Sequence, residues 1–206
     1  MFKRLLSRSA PLLLGALLLG ACSDPSLTGP SVPDAAVSVS GSGASGSVAG
    51  AVTDAAGLDL RAVWWKKNFK QPVKVSKSIG KNGGTISIPE TGLTVSFPAG
   101  AVTQPITITI TADDKYVAYK MEPSGTRFLK DVTVTQLLNA TTLFGLPLRS
   151  QLYAAYIADD NVKLSGKVPV IEIEPSTTIF SALSPLLPQA QVWIIRHFSR
   201  YMLASG

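Results

Sequence analysis

The chain has one imidazole and one thiol, His197 and Cys22, so few reactive groups are available to it. A single histidine excludes a metal cluster built on several imidazoles and a conventional triad with a spare imidazole. No metal ligand set and no cofactor are therefore expected. Acidic pairs are more plentiful. Asp113-Asp114 and Asp159-Asp160-Asn161 offer oxygen ligands of the kind calcium takes, but neither has the glycine and terminal glutamate spacing of a dedicated loop. They read as solvated turns. Glu172 and Glu174 alternate with Ile171 and Ile173, which sets both carboxylates on one face of a strand. That face is expected to be exposed, because a glycosidase needs two carboxylates across a cleft and nothing in the spacing supplies one. Trp64 and Trp65 precede Lys66, Lys67, Lys70, Lys74, Lys77 and Lys81. Indoles beside lysines suit docking of an anionic glycan, lipid head groups or an acidic protein surface. The plainer expectation is that the lysines guard an edge strand while a tryptophan packs inside.

Cys22 is placed for a different chemistry. Lys3, Arg4 and Arg8 form a positive leader, Leu12 to Leu19 an apolar run, and Gly20-Ala21 a small-residue cleavage site before the cysteine. The uncharged stretch from Ser9 to Ser23 is shorter than the roughly 20 residues a membrane-spanning helix needs. The segment is similar to a bacterial lipoprotein signal. That resemblance implies removal of residues 1–21, a thioether-linked diacylglyceryl group on Cys22 and an acyl chain on its amine. Together these chains anchor the protein stably in a membrane. Ser23 in place of aspartate favours the outer membrane, so the expected location is the cell envelope, exported and lipid-anchored.

Without the leader, 16 basic residues stand against 13 acidic ones, a net +3. That charge, with no arginine-rich stripe or aromatic RNA-binding signature, argues against nucleic acid as a partner. A lipidated cysteine leaves no disulfide, so a hydrophobic core must hold the fold. Residues 22–58 are the lipidated cysteine and a linker of Ser, Gly, Ala, Pro and Val without aromatics, a composition that predicts a disordered tether. As a flexible coil it would hold the remainder on the order of 30 Å from the membrane. Residues 59–206 suffice for one domain.

Within that domain the pattern is short runs of period two, about ten residues apart and separated by turn residues, which predicts an all-β sandwich. Ile106 to Thr111 alternates isoleucine and threonine most cleanly. Further strands are expected at Ala62 to Lys66, Val73 to Ile79, Thr85 to Ile88, Leu93 to Phe97, Tyr116 to Met121, Val132 to Leu138, Leu152 to Ile157, Val168 to Ile173 and Val192 to Met202. Thr177 to Leu187 reads as one or two helical turns before Pro188. Gly80, Gly83 and Gly84 suit a tight turn, and no lysine-hydroxyl pair or helix follows to make it a nucleotide loop. Pro98-Ala99-Gly100-Ala101 reads as a chain reversal.

Ile79-Gly-Lys-Asn-Gly-Gly-Thr-Ile-Ser-Ile-Pro89, Gly92-Leu-Thr-Val-Ser-Phe-Pro-Ala-Gly-Ala-Val102 and Ile106 to Ile110, then Pro123 to Phe128 and His197 to Tyr201, resemble the ZU-five domain of zonula occludens and Unc-five proteins. The resemblance spans Val75 to Tyr201. It implies a β-sandwich of the ZU-five type that acts by contact, a non-catalytic interaction or structural module; with the lipid anchor, the expected partner is an envelope or extracellular protein or glycan that the sequence does not name. It also draws attention to His197-Phe198-Ser199, the tripeptide at which some ZU-five proteins cut their own backbone. In that chemistry the Ser199 hydroxyl attacks the Phe198 carbonyl, His197 takes the proton, and water hydrolyses the ester. His197 and Ser199 are thus the candidate catalytic residues of a single self-cleavage. A plain pairing of the two on one strand face, with Trp193, Ile195 and Tyr201, is the competing expectation. A third reading, a glycan-binding or carbohydrate-active protein, requires exposed tryptophans or convergent carboxylates.

Overall fold

A computed structural model describes residues 58–157 and 159–206, all within the second of the chain's two units, Ser47–Gly206. The expected signal, Cys22 and the linker up to residue 57 lie outside the described residues. Among those residues the chain is all strand, with no helix: β1 (Arg61–Ala62), β2 (Lys74–Ile79), β3 (Gly84–Ile88), β4 (Leu93–Phe97), β5 (Ile106–Ala112), β6 (Ala118–Glu122), β7 (Arg127–Leu137), β8 (Leu152–Ile157), β9 (Glu172–Glu174), β10 (Ser176–Ser181), β11 (Ser184–His197) and β12 (Arg200–Ser205).

They form two antiparallel sheets. One runs β2-β5-β6-β12-β8-β9, with β1 added to β12, and the other runs β10-β11-β7-β4-β3. Alternation explains what lies between them. Ile108 and Ile110 of β5, Leu93, Val95 and Phe97 of β4, and Val132 and Val134 of β7 are buried in one cluster, while the intervening threonines and serines are more open to solvent. Trp65, Trp193, Tyr119, Tyr201 and Phe198 join that cluster. A polar link crosses it: the Tyr119 hydroxyl of β6 donates to Gln136 Oε1 of β7, and Gln136 Nε2 donates to the Thr91 carbonyl at 2.6 Å. Burial pushes the Tyr119 phenol well above its ordinary pKa, so it stays a donor.

The larger sheet is covered on its outer face too. Ala118, Ala155, Ile157, Ile173, Met202 and Ala204 pack there with Leu60, Leu164 and Val168. Consecutive residues of β12 therefore serve different cores, Tyr201 and Leu203 inward, Met202 and Ala204 outward.

Several expectations change. The run Val192 to Met202 is two strands in different sheets, broken at Phe198–Ser199. Phe198 causes the break: it packs edge-on against Phe128 and Phe97, centroids 4.7 and 6.1 Å away, and pulls the chain across the sandwich. Thr177 to Leu187 is not helical. It forms most of the β10–β11 hairpin, because Pro185 and Pro188 remove amide donors that a helix needs and a strand portion bonded on one side does not. Of Val168 to Ile173 only the last two residues reach strand β9; Val168 packs on the outer core. In the segment Ala62 to Lys66, ladder pairing ends at Ala62, and Trp64 and Trp65 make isolated bridges to Tyr116 and Thr141.

Candidate functional site

The junction of β11 and β12 brings together most of the chemistry the chain offers. The Phe198 amide donates to the Thr126 carbonyl at 2.8 Å, and the Met121 amide to the Ser199 carbonyl at 3.0 Å. The Phe198 carbonyl, the one Ser199 would attack, accepts the Gly125 amide at 2.9 Å. Gly125 sits at φ 78° in the turn between β6 and β7, a conformation that favours glycine and aims its N–H at that oxygen. Phe198 is fully buried and Ser199 nearly so. Ser199 makes no hydrogen bond to His197 among the described residues; the imidazole is engaged elsewhere.

Its neighbours are tyrosines. The Tyr201 hydroxyl donates to the His197 carbonyl at 2.8 Å and lies 3.2 Å from Nδ1. Tyr156 packs edge-on against the ring, centroids 5.0 Å apart. The ladder supplies the rest by register: Tyr201 of β12 faces Tyr156 of β8, which faces Glu172 of β9. One row of one sheet face thus presents two phenols and a carboxylate to the histidine of the opposite sheet. Glu174, in the next row opposite Ala154, points the same way.

Donor atoms of Glu172, Glu174 and His197 all lie within 4.8 Å of one another. The carboxylates are therefore not on an exposed face. Ile173 packs into the outer core, which forces its two neighbours inward, and Glu174 retains only 7% of its surface. Burial first, then the Glu172 carboxylate, raises the Glu174 pKa to about 7, with Arg196 opposing. Burial also raises the Tyr201 phenol, and the carboxylates and Tyr156 add to it. That this carboxylate pair meets the histidine was not legible in sequence, since β9 has only three residues and its inward face is set by what covers the other.

The second candidate region divides. Trp65 is a core residue, 2% exposed, its indole donating to the Asp113 carbonyl at 2.9 Å, so it is withdrawn from any binding face. Trp193 is equally buried, and its Nε1 has no hydrogen-bond partner among the described residues. Trp64 alone of the three is exposed, packed against Tyr116 at 4.6 Å. Lys66, Lys67 and Lys70 surround a shallow hollow with Phe69 and Glu90. Lys74 and Lys77 lie on β2, an edge strand, and Lys77 donates to the Thr85 carbonyl at 2.8 Å. The aspartates hold turns: Asp113 Oδ1 accepts the Lys115 and Tyr116 amides, Asp159 Oδ1 accepts the Asn161 amide, and Asp160 pairs with Lys120 at 2.9 Å.

One surface escaped the sequence reading. The β10–β11 hairpin exposes Phe180, Leu183 and Leu186, with Leu183 at 97%. The Leu148 amide donates to the Leu186 carbonyl at 2.9 Å, and Leu148, Phe180, Pro185 and Leu186 line an open groove. The signal was there in the apolar run punctuated by Pro185 and Pro188, which excludes a helix interior.

Fold and site define a two-sheet antiparallel β protein with an acid–imidazole cluster where the chain crosses from β11 in one sheet to β12 in the other. No protein-family model matches the chain, and no curated protein does.

Proposed function

We propose that this chain is an interaction module of the ZU-five type, tethered to the bacterial cell envelope through a lipid on Cys22, and that it acts by holding a partner protein. The observation that supports this reading best is the β10–β11 hairpin, where Phe180, Leu183 and Leu186 are exposed to solvent. Contiguous exposed apolar side chains mark contact surfaces on soluble domains. The hollows nearby are open, of a kind that suits a protein surface better than an enclosed small-molecule pocket. A photo-crosslinking residue at Leu183, in living cells, should give discrete higher-mass adducts that a residue at Thr107, on the other sheet, does not. Leu186→Asp should remove them. Identical adducts from both positions, or adducts unaffected by Leu186→Asp, would overturn the proposal.

A second reading has its own support. The Gly125 amide on the Phe198 carbonyl is placed as a donor to the oxyanion that forms when Ser199 attacks. Self-cleavage would leave a new end at Phe198 and a fragment beginning at Ser199, held by the pairing of β12 with β6 and β8. Mass spectrometry under denaturing conditions should then resolve two pieces in the wild type and one in Ser199→Ala. A single full-length mass in both, after long incubation at neutral pH, leaves the junction a structural turn.

A further inference from the structure

We propose that Glu172, Glu174 and His197 bind a divalent first-row transition-metal ion of the zinc class at the seam between the two sheets. The three residues come from both layers, β9 of one sheet and the end of β11 of the other, so the site exists only where the sandwich closes. Their donor atoms lie within 4.8 Å of one another. Ligands about 2.0–2.2 Å from a shared ion lie about 3–4 Å apart, a distance that small side-chain rotations reach.

The independent sign of a missing ligand is Glu174. It is more than nine-tenths buried, yet its carboxylate makes no hydrogen bond and no ion pair among the described residues. Arg196, the base whose charge reaches it, is bonded to Asp131 at 2.8 Å. An ionised carboxylate this far withdrawn from water, with no partner among the described residues, is costly; a cation shared with Glu172 and the imidazole removes that cost. The surroundings also prepare the histidine. Because the Tyr201 hydroxyl gives its proton to the His197 carbonyl, its oxygen is free to accept Nδ1–H, which puts the imidazole lone pair on Nε2. Fixing the tautomer by a bond to the other nitrogen is what second ligands around a metal-bound histidine do. Two carboxylates with one imidazole suit zinc or manganese better than calcium or magnesium, which take oxygens alone. Glu172 and His197 remain partly open, so the ion has an entry path and a coordination position left for water.

The protein supplies its own reporter. His197 is its one histidine, so the imidazole carbon-bound protons give one set of signals in a tag-free sample. In chelator-treated protein, zinc chloride should shift that set and bind at one ion per chain by calorimetry. Glu174→Gln and, separately, the more exposed Glu172→Gln should each weaken zinc binding at least tenfold while retaining the wild-type far-ultraviolet dichroism. Glu90→Gln, at the lysine-lined hollow, should leave it unchanged. Manganese chloride should compete for the same site and broaden the same signals, and calcium chloride should do neither. Imidazole signals that stay in place as zinc is added, or affinity equal in wild type and both cluster variants, would overturn the proposal.

Discussion

Glu174 is the residue on which local energetics turn. With its carboxyl raised from 4.5 to about 7, the folded state binds a proton that the unfolded state releases between those values. The stability this contributes is whole below about pH 4.5 and is lost as pH rises through about 7. In metal-free buffer the wild type should lose about 2–3 kcal/mol across that window on this account. Glu174→Gln carries no such titration. Urea melts at stepped pH should show the variant matching the wild type near pH 4.5 and exceeding it at pH 8; parallel curves would mean that water or a counter-ion already solvates the carboxylate. The residue types at this site were plain in sequence, but not their company. Alternation pairs Glu172 with Glu174, but His197 lies far enough along the chain that no local pattern joins it to them, and a carboxylate flanked by isoleucines looks the same whether the isoleucine or the glutamate faces the main core.

At the scale of elements, turn chemistry was the most legible part. Gly83 at φ 74° and Gly84 at φ 151° close the tight turn that carries the chain from β2 in one sheet to β3 in the other, and the Gly83 amide donates to the Gly80 carbonyl at 2.9 Å. A Cβ on Gly83 would fall inside contact distance of the Phe97 carbonyl oxygen and 2.7 Å from the Pro98 carbonyl carbon. Gly83→Ala should therefore cost about 2 kcal/mol or more, a fall in melting temperature of about 4–8 °C. Gly125→Ala faces open space at its Cβ and should cost less, since only its positive φ is penalised. Comparable losses in the two would show that backbone conformation alone sets the penalty. Strand boundaries were legible where one face is polar, as in β4 and β5. They were misread where tertiary packing decides. Val192 to Met202 has an unbroken strand pattern, and only the pocket formed by Phe97 and Phe128 makes Phe198 a crossing point between sheets.

For the whole molecule, the proposed anchor and tether make a joint prediction. Cys22→Ser should abolish labelling by a palmitate analogue and release the protein from membranes. Brief proteolysis of membranes carrying the wild type should free a resistant fragment beginning near Leu60, because composition predicts accessible chain before it, and Leu60 itself is buried on the outer core. Label retained in the variant, or a resistant fragment that includes Ser38 to Ser47, would count against anchor and tether respectively.

The sequence by itself determined the all-strand character, the principal turns and the inward-facing aliphatic rows of the longer strands, since each follows from period-two alternation and from glycine and proline at fixed offsets. Tertiary structure alone decided which sheet each strand joins, that Trp65 and Trp193 are core and Trp64 surface, that the β10–β11 hairpin leaves Leu183 and Leu186 exposed, and that two glutamates meet the histidine. Those outcomes depend on what covers each face, and burial is a property of neighbours that a linear pattern does not carry.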